Sequence, residues 1–411
     1  IYMIQYIYEH KIENIQSLQT PQWTEPTMHL SLSHNCMYQL YLIDTKEHAS
    51  EQYSSLLSFL NKCRTSIGRR LCKTRLLNPL IDPQLLQSRY NDIESFQTYH
   101  QEHYLYDLCN PHLHKIMDLE KIYRKMGLGI LHPYEFNHLH QSYYYLEKVI
   151  HEIQSVKPTY LEEYQTMIDS LRQFKDTYST IFSISELDKY ALSSIDTSIF
   201  IRGIYPEIER VHDSCQQKKR YLQCIADKLG HYIDTTKPTV KQEYNDRYGH
   251  YLTMTQNRSS TLITRLKNLH TDNIIFKDGS TVIYTCPKQE LIASLQRRGQ
   301  GKDIIVNLPW IEGISSQISA LQKQMCSLNK DKYISYLKEF YTTYTPLFKE
   351  TIRFIGTTDL NSCIAKISKE SIYCKPTIEH SDRSFFVAKD IRHPLVEKIQ
   401  TEVAYVPNDI S

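Results

Sequence analysis

The chain has 411 residues, with 48 Lys plus Arg against 46 Asp plus Glu and a net charge of +2. That balance excludes a histone-like polycation and an acidic tail protein, so any nucleic-acid contact must come from a local patch. Glycine numbers only 11, far below the usual share of roughly 7%, which disfavours a glycine-looped nucleotide-binding sheet as the bulk of the chain and favours helices. No run approaches the about 18 apolar residues of a membrane span, and no basic segment followed by an apolar one marks a signal peptide. Ten cysteines contain no C-x-x-C pair, and the shortest spacing is nine, at Cys63/Cys72 and again at Cys215/Cys224. Such spacing suits neither a zinc ribbon nor a secreted disulfide framework and predicts reduced thiols in an intracellular protein.

Residues 1–19 carry Ile1, Ile4, Ile7, Ile12 and Ile15 as a partial helical face, and Pro21 and Pro26 then predict a linker. From Ser55 to Tyr190 the periodicity is mostly helical. Turns are expected at Asn78-Pro79 through Asp82-Pro83, at Asn110-Pro111, at His132-Pro133 and near Lys157-Pro158. The pattern predicts a bundle of about six helices with short connections.

Two long helical segments follow. In the first, Ile208, Val211, Cys215, Leu222, Ile225 and Leu229 form one stripe. In the second, Ile311, Ile314, Ile318, Leu321, Met325 and Leu328 form a heptad seam, which breaks and resumes at Ile334, Leu337, Tyr341, Tyr344 and Phe348. The insert between them would return the chain, so the stripes are expected to pack antiparallel as a long arm; two unrelated core helices are the alternative.

The insert, 235–305, reads as β-rich. Tyr248, Tyr251, Leu252 and Met254 flank Gly249, and the runs 273–276 and 281–284 surround Lys277-Asp278-Gly279-Ser280. An Asp-Gly pair between β-branched runs predicts a two-residue hairpin. Across 237–310 there are eleven basic and six acidic residues, a balance of 11 − 6 = +5. A basic tip with interleaved Tyr suits backbone-tracking contact with nucleic acid, and an ordinary solvated surface is the alternative.

Chemistry-bearing motifs are few. The nearest string to a phosphate loop is Gly299-Gln300-Gly301-Lys302-Asp303, with Gln296 in place of the leading glycine and Asp after the lysine, so it is rejected. His112/His114 and His138/His140 point to different faces of helices and suggest no metal site. No G-x-S-x-G elbow occurs, and Glu162-Glu163 sits on a polar helix face.

A set of longer motifs resembles the MutS family of DNA mismatch-repair ATPases. Thr65, Gly68 and Arg70, then Pro79-Leu80-Ile81-Asp82 and Arg89, match its T-x-x-G-x-R and P-L-x-D signatures. Asp118-Leu119-Glu120 with His132-Pro133-Tyr134-Glu135 is similar to its D-L-E segment and following turn. Tyr248-Gly249-His250-Tyr251-Leu252 resembles the strand opening the family's clamp. Thr358-Asp359-Leu360 and Tyr373-Cys374-Lys375-Pro376 resemble its returning helix and the Y-x-x-P beyond it. Arg392-His393-Pro394 with Glu397, and Tyr405-Val406-Pro407-Asn408, resemble the segment opening its ATPase domain.

The resemblance implies a mainly α fold: a helical lever bundle with a long antiparallel arm, a small β-rich clamp and the start of an α/β ATPase domain. Its expected boundaries are 1–20 for the end of a connector domain, 25–205 for the lever, 206–330 for the arm and clamp, 331–372 for returning lever helices and 373–411 for the ATPase start. It also implies a fragment: the chain begins without Met, ends before the family's phosphate loop and lacks its F-x-E mismatch reader, since Phe348-Lys349-Glu350 falls on the heptad helix. The implied partners are duplex DNA, mismatched or not, and a second MutS-like chain; the implied cofactors are ATP and Mg in the complete protein. Expected phosphate contacts are Arg247, Arg258, Lys277, Lys288, Arg297 and Arg298. Tyr405, Val406 and Asn408 are the expected contacts to adenine. Catalysis by this chain alone is not expected. A helical protein-binding scaffold and a relative acting on recombination or branched DNA remain alternatives.

Overall fold

A computed structural model describes residues 2–10, 29–44, 53–234, 237–245, 249–296, 303–306, 308–379, 383, 385–399 and 405–411. The expected linker at Pro21 and Pro26 lies outside them. In chain order come α1 (Tyr2–His10), α2 (His34–Gln39), α3 (Leu56–Leu60), α4 (Ser66–Leu77) and α5 (Pro83–Phe96). A short hairpin of β1 (Tyr99–His100) and β2 (His103–Tyr104) leads to α6 (Leu105–Leu113), α7 (Leu119–Gly127) and α8 (Pro133–Val156). A 3-10 turn at Pro158–Tyr164 precedes α9 (Gln165–Ser179), α10 (Ile184–Leu187) and α11 (Pro206–His231).

The insert then supplies β3 (Lys241–Asn245), β4 (Gly249–Thr255), α12 (Gln256–Lys267), β5 (Asn273–Asp278), β6 (Thr281–Pro287), α13 (Lys288–Gln296) and β7 (Asp303–Ile305). The 62-residue α14 (Pro309–Glu370) follows, then β8 (Ala388–Ile391), α15 (Val396–Ile399) and β9 (Asn408–Ile410). The fold is mainly α, and among the described residues the sheets are two- or three-stranded and antiparallel. The chain divides into two compact units: Ile1–Ile116 with Tyr145–Glu163 and Arg353–Ser411, and Met117–Tyr144 with Tyr164–Ile352.

In the first unit the starts of α4 and α5 carry their own capping groups. Thr65 caps α4 by accepting from the Gly68 N–H, and Asp82 caps α5 by accepting from Gln84 and Leu85, with Pro83 at the first helical position. One expected turn is corrected: Asn110-Pro111 lies inside α6. The helix ends two residues later at Leu113, short enough for the missing proline N–H to cost little of its ladder.

The T-x-x-G signature acquires a physical reason in the Asp359 carboxylate of α14, which is fully buried. It accepts from the Arg64 N–H at 2.9 Å, the Thr65 N–H at 2.7 Å and the Thr65 hydroxyl at 2.7 Å. These are donors that the start of α4 would otherwise leave unpaired in the core. Gly68 makes room for it, since a Cβ there would stand 2.2 Å from Asp359 Oδ2. Burial pushes the Asp359 pKa up, and the hydrogen bonds from Arg64 and Thr65 offset only part of that rise.

The second unit packs aromatic rings at its centre. Edge-to-face pairs link Phe136 to Phe182 and Tyr333, Phe182 to Tyr333 and Phe340, and Phe340 to Phe174. The buried seam of α14 here runs Ile311, Ser315, Ile318, Met325, Asn329, Tyr333, Leu337 and Phe340. The seam does not break where the sequence predicts a gap. Asn329 and Tyr333 fill it, and Tyr341 is exposed rather than part of the seam. Asn329 is satisfied there: its amide donates to the Met325 carbonyl at 2.9 Å, and its Oδ1 accepts from the Ile199 N–H at 3.2 Å. Glu135, three residues into the turn that opens α8, accepts from the His132 N–H at 3.1 Å and from the Lys125 ammonium. Burial raises its pKa, but Lys125 and the His132 N–H outweigh burial and hold it below the ordinary value.

Candidate nucleic-acid interface

Within the second unit, α11 and α14 run antiparallel past each other. At one end Glu207 pairs with Lys332 at 3.6 Å, and the Tyr205 hydroxyl donates to that of Tyr336 at 3.1 Å. Further along, burial and then the nearby Lys219 charge on α11 lower the His250 pKa, and Gln322 of α14 lies beside its ring. The α11 stripe is buried at Ile208, Cys215, Leu222, Ile225 and Leu229, as its spacing predicts, with Val211 half-buried.

The insert connects these helices. Its three-stranded sheet has the order β3-β4-β7, with Thr253 opposite both Lys241 and Ile305. It is anchored to α14 where the His250 N–H donates to Ser315 Oγ at 2.9 Å. The β5–β6 hairpin turns its buried Phe276 toward Trp310, 5.3 Å away, and Tyr284 stacks on the same indole at 4.4 Å.

Two features depart from the sequence reading. The hairpin turn falls one residue later, with Asp278 and Thr281 paired and Gly279-Ser280 at the tip. A bulge between Phe276 and Lys277 shifts the register, and only Gly279 has positive φ, the pattern of a II′ turn. The insert also contains two helices, α12 and α13, that pack on each other through buried Leu262, Leu266, Leu291 and Leu295.

The expected phosphate contacts separate into three groups. Arg258 donates to the Thr239 carbonyl at 3.1 Å and Lys288 to the Leu269 carbonyl at 2.9 Å, so both hold loops of the insert. Lys277 is exposed on β5. Arg247, Arg297 and Arg298 lie outside the described residues. Lys241 on β3 and Lys267 at the end of α12 are further exposed cations. They were legible as part of the +5 balance, but their sequence neighbours gave no reason to single them out. Arg265, by contrast, donates to the Tyr232 carbonyl at the end of α11.

In the first unit, the residues expected at a nucleotide lie near the chain's last strand. Asn408 opens β9, opposite Ile391 of β8, and its amide donates to the Val406 carbonyl. Val406 is 72% exposed. The half-buried Tyr405 accepts from the His393 N–H through its hydroxyl at 3.1 Å. Exposed apolar surface beside an aromatic ring fits contact with a flat base. No part of the sequence offers a phosphate cradle. Upstream, Arg392 ties this segment down: it pairs with Glu397 at 3.2 Å, donates to the Ser371 carbonyl and lies over the Tyr373 ring. Tyr373 in turn donates to Glu397 at 2.7 Å. One buried carboxylate therefore joins two of the motifs singled out in the sequence. Among the described residues no cluster of His, Cys, Asp or Glu is arranged to hold a metal ion, and no helix is long and apolar enough to cross a membrane.

Comparison with known proteins places these observations. The family model for MutS domain III matches residues 35–365. A putative DNA mismatch repair protein mutS homolog of Acanthamoeba polyphaga mimivirus is 27% identical, across 99% of this chain and 37% of its own length. A mitochondrial DNA mismatch repair protein mutS homolog of Sarcophyton glaucum is 24% identical, across 100% of this chain and 39% of its own. The DNA mismatch repair protein MutS of Alkaliphilus metalliredigens is 23% identical, across 92% and 38%. The chain thus spans about two fifths of the length of these relatives.

Proposed function

We propose, from the premise that this chain belongs to the MutS family and carries its domain III, that it grips duplex DNA through the insert between α11 and α14. The whole protein would use that grip in mismatch repair. In this reading 25–205 and 331–372 form the lever, 206–330 the arm and clamp, and 373–411 the start of an ATPase domain. The observation that carries the proposal is the division of the insert's cations: Arg258, Arg265 and Lys288 fasten its loops, whereas Lys277 is exposed on its hairpin. Exposed positive charge on a sheet fixed to two antiparallel helices releases counterions from phosphates without reading bases.

Tyr405 and Val406 would contact the base of a bound ATP, whose phosphates and Mg need residues outside this sequence. ATP supplies the energy of binding and hydrolysis that drives a change between two states of the lever. A second MutS-like chain is the proposed partner.

The test is duplex binding followed by fluorescence anisotropy over a salt series. Replacing Lys277, Arg247, Arg297 and Arg298 together by Ala should flatten the slope of log K against log salt by about 0.9 per lost phosphate contact. An unchanged slope refutes the proposal. No binding of duplex even at low salt would favour a protein-binding scaffold instead.

A further inference from the structure

Two cysteines nine apart in the sequence, Cys63 and Cys72, meet a third in the core of the first unit. Cys63 precedes α4, Cys72 lies within it and Cys363 sits on α14, one turn beyond Asp359. All three are buried in one cluster with Phe59, Leu360, Ile367 and Leu395. Cys63 lies beside both Cys363 and Cys72 in that cluster, and Cys363 Sγ donates to the Leu60 carbonyl at 3.3 Å. All ten cysteines are free thiols, and no group of His, Cys, Asp or Glu among the described residues is arranged for a metal. Neighbouring thiols have a redox chemistry of their own, oxidation to a disulfide.

We propose that Cys63, Cys72 and Cys363 form a peroxide-sensitive thiol site in which Cys63 is the obligatory partner of any bond formed. The neighbouring Cys63 lowers the Cys72 thiol pKa from its ordinary value while Cys63 itself is pushed up, which favours Cys72 over Cys63 as the attacking thiol. The Cys72 thiolate attacks one oxygen of hydrogen peroxide, the O–O bond breaks, and hydroxide leaves with a proton as water. The sulfenic acid at Cys72 is then attacked by Cys63, whose proton leaves with the hydroxyl as a second water. Two thiols have lost two electrons and peroxide has gained them. Cys363 can attack the Cys63 sulfur of that bond, release the Cys72 thiol and move the bridge between α14 and the chain before α4. Such a bridge would lock the same two segments that Asp359 joins by hydrogen bonds.

The experiment treats the folded 411-residue protein with hydrogen peroxide, blocks the remaining thiols, and maps disulfide-linked peptides by mass spectrometry without reduction. The expected products are Cys63–Cys72 and Cys63–Cys363 peptides, lighter by two hydrogens and restored by dithiothreitol. Cys63→Ser should abolish both, while Cys36→Ser and Cys374→Ser, at less buried positions, should leave them. The wild-type map alone decides the matter if Cys63→Ser fails to fold. Oxidation confined to Cys36 or Cys374 would overturn the proposal, as would a Cys72–Cys363 bond that persists in Cys63→Ser. So would an unchanged yield of Cys63–Cys363 in strong urea, where the fold no longer brings the two thiols together.

Discussion

Replacing Asp359 by Ala removes an acceptor from three donors at once. The N–H groups of Arg64 and Thr65 and the Thr65 hydroxyl lie 2.7–2.9 Å from its oxygens in a site closed to solvent. Each buried donor left unpaired costs about 1–3 kcal/mol. Relief of the carboxylate's own desolvation returns part of that, so the net loss should be about 3–5 kcal/mol, the range for breaking a buried charged network. Gly68 provides the internal control. A methyl group at 68 would collide with Asp359 Oδ2, so Gly68→Ala must displace the carboxylate and lose the same bonds. In an Asp359→Ala background the carboxylate is gone and only the Cβ at 359 remains, 2.9 Å from the added methyl, so Gly68→Ala should cost less than it does in the wild type. Urea unfolding of the four proteins by circular dichroism gives the coupling energy. Additive losses, or a loss below about 1 kcal/mol for Asp359→Ala, would refute the account of the capped helix start. The pH dependence has a definite sign. Asp359 has a raised pKa in the folded chain, so the folded state binds the proton more tightly than the unfolded one. Stability from this group is therefore greatest in acid and is lost as pH rises from 3.8 through the folded value. The stability gap between wild type and Asp359→Asn should widen on acidification.

Glu135 titrates in the opposite sense. Its pKa is lowered, so its contribution is present above pH 4.5 and is lost as pH falls through the folded value; the gap to Glu135→Gln, read by thermal melts, should close in acid. Asn329→Leu adds apolar volume to the α14 seam but leaves the Ile199 N–H without its acceptor, so a loss of about 1–3 kcal/mol is expected, and a gain in stability would count against the seam as described. Arg258→Ala should cost about 1.5 kcal/mol by removing a charged hydrogen bond from the Thr239 carbonyl while leaving the salt slope of DNA binding unchanged. Lys277→Ala should do the reverse, and anisotropy beside urea melts on both variants separates the two roles.

Local patterns were legible where both partners of an interaction lie close in sequence. Asp82-Pro83 marks the start of α5 because the cap and the capped N–H groups are two and three residues apart. The α11 stripe is legible because its buried positions are apolar. The α14 seam was misread at Asn329 and Tyr333, where buried positions carry polar atoms and apolar periodicity is silent. Helix α12 was missed because its stretch from Gln256 to Lys267 has only Leu262, Ile263 and Leu266 as apolar residues, amid Ser, Thr and Arg. The carbonyl contacts of Arg258 and Lys288 were not legible because their partners, Thr239 and Leu269, come from loops 19 residues away in each case. Nothing near position 65 reveals that its cap is completed by a carboxylate 294 residues downstream.

That last separation bears on how the chain is made. Synthesis proceeds at about 5–20 residues per second, so the start of α4 emerges roughly 15–60 s before Asp359 exists. During that interval Cys63, Cys72 and the apolar side of α4 have no α14 to cover them. The first unit therefore cannot mature in step with translation: its earliest segments must wait, shielded by chaperones or by transient collapse, until nearly the last helix arrives.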